Sequence, residues 1–272
     1  PARATEVVVA RLGAGGDGIA ALPDGRPVYI PGALPGERVC IAPGERRGEG
    51  VAATLLARLS DAPERAVPPC PHFGTCGGCT VQHLAETAYR RWKAGLLAEA
   101  LRRAGFPDTT IDPLVPAAPA TRRRAAFALR AGAVGFRARA SHRLIDAPQC
   151  RVLDPALLAL AERLRGLGRA LACLRPEAEA QAILLDTGID LVLRGPREPG
   201  LAERERLAAF AAEADLARLS WATGDTLAAP VIVRRAPRIA FAGVAVEPPP
   251  GAFLQATRAG EHAITAAVSA AL

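Results

Sequence analysis

Methionine is missing altogether from this 272-residue chain, which points to an initiator already removed or to a piece of a longer protein. Lysine is nearly missing too. Lys93 is the single one, so nearly all of the 34 Lys and Arg residues are arginine. Aromatic residues make up only 4%, and much of the apolar content is alanine. No apolar run approaches the roughly 20 residues that a membrane helix needs, so no membrane partner is expected. Pro1 is followed by charged residues with no leader pattern, which argues against secretion. Without secretion, the six cysteines point to a reducing cytoplasm and away from a disulfide framework. No glycine-rich strand–loop–helix capable of cradling a nucleotide follows the last helical segment.

What is present bounds the answer from the other side. Half of the residues, 50%, are hydrophobic, enough to build a sizeable core in a chain of this length. The formal net charge is +7 and the isoelectric point lies near 9.7. Arginine carries a planar fork that matches phosphate. A basic balance of this kind favours a polyanionic partner, RNA or DNA. The competing reading is an arginine-for-lysine bias on a solvated surface.

One stretch organises the rest, Cys70-Pro71-His72-Phe73-Gly74-Thr75-Cys76-Gly77-Gly78-Cys79. Three cysteines at C-x5-C-x2-C sit in a run rich in Gly and Pro, which is loop chemistry. The Gly77-Gly78 pair lets the chain turn tightly and bring backbone N–H groups toward a sulfur. Thiolates in loops of this kind hold iron–sulfur clusters, usually with a fourth ligand. Cys150 is the candidate fourth. Structural zinc also takes four cysteines, though more often as two short C-x2-C knuckles. Spacing alone admits both.

Residues 1–58 read as a small barrel of short strands with Gly/Pro turns: Glu6–Leu12, Pro27–Ile30, Glu37–Ala42 and Val51–Leu59. Barrels of this OB-like kind bind single-stranded nucleic acid, and Arg46, Arg47 and Arg58 are candidate phosphate contacts. Cys40 alternates with Val39 and Ile41 and reads as a packed residue. A helix follows the cysteine loop, with Leu84, Ala88, Trp92, Leu96, Ala100 and Ala104 as its apolar stripe. Residues 107–120, with four prolines, are a linker. Arg122-Arg123-Arg124 then opens a hairpin around Gly132, either an RNA contact or a solvated edge. Asp154-Pro155 is a cap-plus-first-turn signal for the next helix. Cys173 lies beyond that helix without a motif. Strands at 180–185, 191–194, 216–221, 231–235 and 239–246, with a helix at 201–214, make the middle region an α+β domain of antiparallel hairpins. After Pro248-Pro249-Pro250-Gly251, a last helix runs from about Arg258 to Leu272.

Three features together carry a family resemblance. They are Gly16-Asp17-Gly18-Ile19-Ala20 with Pro31-Gly32-Ala33-Leu34-Pro35-Gly36-Glu37; Cys70, Cys76, Gly77, Gly78, Cys79, Gln82 and His83, with Cys150 downstream; and Phe253-Leu254-Gln255-Ala256-Thr257. The first looks like a TRAM domain. Together they resemble the RNA (uracil-5-)-methyltransferase family, in its iron–sulfur branch acting on 23S ribosomal RNA. The resemblance implies an α+β multidomain fold. It has an N-terminal OB-like TRAM barrel (1–59), a central iron–sulfur α+β domain (60–252), and a C-terminal Rossmann-like methyltransferase domain, starting at 253–272, that is largely absent from this chain. It implies a helix at 83–105 packing on the catalytic domain. It implies a [4Fe-4S] cluster on Cys70, Cys76, Cys79 and Cys150, and S-adenosylmethionine against Phe253 and Gln255. RNA is expected at Arg122, Arg123, Arg124, Arg46 and Arg47. Phe253 and Gln255 match an F-x-Q-x-N motif, in which Thr257 replaces the Asn.

The chemistry of the family adds a thiolate to C6 of a flipped-out uracil, so that C5 attacks the methyl sulfonium; a base then removes the C5 proton and the thiolate leaves C6, restoring the double bond. No motif for that nucleophile is found here, so the chain alone is expected to be inactive. The other reading is a stand-alone RNA-binding module with a structural metal site. A methylthiotransferase is disfavoured, because its TRAM domain follows its cluster domain. A monomer in the cytoplasm is expected.

Overall fold

The computed structural model describes residues 4–272. The chain divides into two compact units, Pro1–Gly74 with Cys79–Leu114, and Thr75–Gly78 with Val115–Leu272.

The first unit opens with β1 (Thr5–Val8), β2 (Arg11–Leu12), β3 (Asp17–Ala21), β4 (Pro27–Pro31), β5 (Arg38–Arg47) and β6 (Gly50–Arg58). They form one sheet in the order β1-β5-β6-β4-β3-β2. Its two outermost strands are one stretch of chain interrupted at Val9-Ala10, and the Ala10 N–H donates to the Ile19 carbonyl at 2.8 Å. Val7, Ile30, Val39, Ile41 and Val51 share one interior, as a curled sheet requires. The glycine-rich run after β2 gives way to a strand at Asp17. Gly18 serves close approach there, because an added Cβ would stand 2.8 Å from the Ala33 carbonyl.

The expected helix is α1 (Glu86–Arg103). Of its apolar stripe only Ala88 is buried; Trp92 and Leu96 are half-buried. They border a cavity of about 720 Å³ against Leu12 and Leu34.

The second unit holds β7 (Arg124–Arg130), β8 (Ala133–Arg137), β9 (Leu144–Asp146), α2 (Pro155–Ala170), β10 (Glu177–Leu185) and β11 (Gly188–Gly195). It continues with α3 (Leu201–Glu213), β12 (Leu216–Thr223), β13 (Ala229–Val233), β14 (Ile239–Phe241), β15 (Val244–Val246) and α4 (Arg258–Ala271). Seven strands order as β13-β12-β11-β10-β7-β8-β9. Every pair is antiparallel except β11 and β12, which α3 joins as a crossover. The antiparallel hairpins were expected; the parallel pair was not. Leu157, Leu160 and Leu164 of α2 and Leu207 and Phe210 of α3 bury the sheet's inner face with Phe127, Leu129, Leu191 and Leu219. Asp154 caps α2 as its sequence implies, accepting from the Ala156 N–H at 2.9 Å. The single strand read at 239–246 is instead the hairpin β14–β15. Ala242 and Gly243 carry φ of +47° and +84° at its turn, the mirror-image geometry a two-residue hairpin needs.

Candidate functional site

The second unit places the start of β7 beside the segment between β15 and α4. Two devices hold that segment. Pro248-Pro249-Pro250-Gly251 turns with the Ala252 N–H donating to the Pro249 carbonyl at 3.1 Å. Gly251 has φ +72°, a conformation that disfavours any side chain. The Pro248 carbonyl accepts from Arg218 Nη2 at 2.9 Å. Arg218 is itself fixed by Asp190, both contacts being 2.8 Å. Beyond this turn the chain passes Phe253 and Gln255 and enters α4.

A cavity of about 300 Å³ opens there, lined by Arg122, Arg124, Gln181, Gly251 and Phe253 among others. Phe253 is 69% exposed. The Arg124 guanidinium lies 4.4 Å from its ring centroid, a cation–π stack. Arg122 Nε donates to the Arg124 carbonyl at 3.1 Å, and the Gln181 amide donates to Glu179 at 2.8 Å. The cavity thus joins an aromatic face, two cations and an amide. A flat heteroaromatic ring with polar edges and an attached anion is the complementary ligand.

The triple arginine does not act as one patch. Arg122 and Arg124 line the cavity, but Arg123 is 1% exposed and paired with Glu261. The expectation that Arg123 contacts RNA is therefore corrected. Along a strand start the side chains alternate in direction, so the middle residue of three turns away from its neighbours. Gln255 has its side chain in solvent. Thr257 is the N-cap of α4 and accepts from the Gly260 N–H at 3.0 Å. Threonine and asparagine both cap helices well, so Thr257 preserves the local geometry that an asparagine would supply there.

In the first unit, Arg46 turns back to the Gly48 carbonyl at 3.3 Å. Arg47 is pinned to Asp17 at 2.6 Å and covers the Tyr29 ring at 5.0 Å. Both remain exposed.

Cys70 and Cys79 belong to the first unit, Cys76 and Cys150 to the second. All four are half-buried, and among the described residues no disulfide forms. The Cys76 loop is pinned by the Gly77 N–H to the Arg137 carbonyl at 2.9 Å. The Gly78 N–H points at Cys76 Sγ at 3.4 Å. Among the described residues, no group of three or more His, Cys, Asp or Glu side chains is disposed to hold a metal ion. The chemistry of the four-thiol set fits a cluster, but the geometry does not display one.

Two cysteines remain. Cys40 is half-buried in β5. Cys173 is buried in the core of the second unit, where burial, with the Glu203 carboxylate nearby, pushes its thiol up to about 11. A thiol so protonated is no nucleophile at neutral pH.

Residues 3–42 match the TRAM domain. Over 271 residues, 98% of the chain, it is 40% identical to an uncharacterised RNA methyltransferase of Brucella suis, covering 62% of that protein. It is 38% identical over 229 residues to the 23S rRNA (uracil(1939)-C(5))-methyltransferase RlmD of Chromohalobacter salexigens, covering 82% of this chain and 48% of that one. The crystal structure of the Pyrococcus abyssi tRNA (uracil-54, C5)-methyltransferase with S-adenosyl-L-homocysteine matches at TM-score 0.68 and 18% identity, over 97% of this chain and 64% of that one. The chain thus carries a TRAM domain and is related in sequence to RNA methyltransferases. It spans about three fifths of the length of the first of these relatives. The expectation of a methyltransferase part largely absent from the chain is corrected by these matches. The sequence match runs along 98% of the chain, and the likeness in fold along 97%. The comparisons give no support to the expected inactivity.

Proposed function

We propose that this chain serves S-adenosylmethionine-dependent methylation of uracil C5 in RNA, with 23S ribosomal RNA as the substrate class. The observation that carries the reading is the Arg124–Phe253 stack at the mouth of a cavity that Arg122 also lines. A base turned out of its stack finds there an aromatic wall and a guanidinium plane, while the arginines meet its phosphates. Phe253 and Gln255 are the residues proposed to meet S-adenosylmethionine, which supplies the methyl group as an electrophilic sulfonium. Phe253 thus stands between the two ligands. Residues 1–59, with Arg46 and Arg47, are proposed as a second RNA-binding surface. The similarity to RlmD and the match at residues 3–42 to the TRAM domain support the reading.

The test is binding of a uridine-containing oligoribonucleotide. Base–aromatic stacking is worth about 1–3 kcal/mol per base, so Phe253→Ala is expected to weaken affinity about tenfold or more. An unchanged affinity removes the base-binding role of this cavity.

Cys70, Cys76, Cys79 and Cys150 are proposed to hold a [4Fe-4S] cluster with a structural role, since methyl transfer needs no redox step. When bound, the cluster supplies four metal–thiolate bonds that tie distant parts of the chain. Anaerobically purified protein is expected to contain about four iron and four sulfide per chain, lost in Cys150→Ser. Stoichiometric zinc without iron would sink the assignment.

A further inference from the structure

Arginine 123 is among the largest fully buried side chains of the molecule, yet it sits in a run of arginines on a basic protein. A buried ion pair is a weak source of stability, because apolar residues of similar size do as well or better. What such a pair supplies is fixed geometry, and here the geometry is unusually directed. Three successive carbonyls of the cavity segment are each held from Arg123 or Arg124, where the chain enters β7. Leu254 O accepts from Arg124 Nη1 at 3.3 Å, Gln255 O from Arg123 Nε at 3.1 Å, and Ala256 O from the Arg123 backbone N–H at 2.8 Å. The segment is not part of a β-ladder, so these bonds replace the ones a strand would supply.

Arg123 can hold that pose only if its own guanidinium is held. Glu261, in the first turn of α4 and 6% exposed, takes its Nη2. The Glu261 N–H in turn donates to the Thr257 carbonyl at 3.1 Å, which closes a ring of bonds around residues 254–261. A second tie, Arg258 to Asp186, fixes the same turn of α4 to the end of β10.

We propose that Arg123 and Glu261 are positioning residues that set the pose of Phe253 and Gln255. They touch neither base nor cofactor. Arg123 fixes the backbone carbonyl of Gln255, whose side chain lies in solvent, and with Arg124 it fixes the carbonyls on both sides. The direction in which Phe253 meets the cavity follows. The proposal rests on the reading of Phe253 as a substrate-facing residue.

The experiment uses the full chain carrying Glu261→Gln, Arg123→Lys, Phe253→Ala, and Phe253→Ala combined with Glu261→Gln. Two readouts are taken, amide hydrogen exchange at positions 123 and 260, whose N–H groups donate to the Ala256 carbonyl and the Thr257 hydroxyl, and affinity for a uridine-containing oligoribonucleotide. Glu261→Gln keeps the shape of the side chain but removes its charge. It is expected to speed exchange of the amides at 123 and 260 and to weaken RNA binding about tenfold, since a misplaced Phe253 forfeits most of the stacking that Phe253→Ala removes. Added to Phe253→Ala it is expected to weaken binding no further, because it acts through Phe253. Arg123→Lys keeps a charge for Glu261 but loses the fork, and is expected to show the same exchange signature; it decides the matter where Glu261→Gln does not fold. Unchanged exchange at 123 and 260, or binding losses that simply add, overturns the positioning role. Loss of thermal stability with unchanged exchange at 123 and 260 in the folded state marks a merely structural pair and overturns it equally. Phe253→Ala without effect on RNA affinity refutes the substrate-facing reading instead, and the exchange readout still decides the clamp.

Discussion

Replacing Asp190 by alanine is expected to destabilise the second unit by about 3–5 kcal/mol, the cost of stranding one member of a buried ion pair. Asp190 on β11 and Arg218 on β12 are 2% and 7% exposed and face each other across the parallel pair of the sheet. The contact is bidentate, with Nε–Oδ1 and Nη2–Oδ2 both at 2.8 Å, the strong geometry for this pair. Removing the carboxylate leaves a guanidinium desolvated with only the Pro248 carbonyl, at 2.9 Å, for company. A loss of that size is a large part of the 5–15 kcal/mol by which domains are typically stable. The effect should reach the cavity, because the turn that carries Gly251 and Phe253 hangs on the same arginine. Equilibrium urea unfolding gives the number. Asp190→Ala combined with Arg218→Met should recover most of the loss, since the stranded charge is then gone. A single variant within about 1 kcal/mol of the parent would show that Arg218 finds water or another acceptor and that the pair is not a keystone.

The parts of this fold that the sequence displays are those specified by neighbours in the chain. Asp154-Pro155 announces α2, because a cap needs only the next three residues. The Gly/Pro spacing of the first 58 residues announces the curled sheet. What escaped were features fixed at long range. Gly18 looks like a turn residue until its closeness to the Ala33 carbonyl is known. Arg123 looks like its two neighbours until Glu261, 138 positions away, takes its charge. Alternation along the extended chain entering β7 was the one local signal that could have set Arg123 apart. Phe253 and Arg124 were each legible as candidates, but their pairing was not, since stacking across 129 positions has no sequence period. The methyltransferase part was judged largely absent from missing motifs, whereas relatives align along 98% of the chain. Motifs mark the residues that do chemistry, while alignment follows the whole scaffold, and the two need not coincide.

Acidification should weaken the first unit through His83. This imidazole is 1% exposed, its ring lies 5.2 Å from that of Phe73, and neither nitrogen has a hydrogen-bond partner. Burial, and after it the positive charge of Arg65, pushes its pKa down from 6.5 to about 4, against the opposing pull of Glu37. The sign follows from proton counting. Between pH 6.5 and 4 the unfolded chain binds a proton on this residue that the folded chain refuses. Stability is therefore fully present above the ordinary histidine pKa, falls as the pH drops, and levels off below about 4. At 1.36 kcal/mol per unit the total is on the order of 3 kcal/mol. Glu37 does not share this window. Against the burial that would raise it, Arg65 and the Leu34 and Ala62 amides hold its carboxyl below the usual range, so it stays charged while His83 titrates. The measurement is the unfolding midpoint of the parent and of His83→Gln from pH 7.5 to 4.5. Glutamine has no proton to gain, so its curve should be the flatter, and the two should converge as the pH falls. Parallel curves would mean that His83 is protonated in the folded chain at the acid end, with water or a carboxylate reaching the ring.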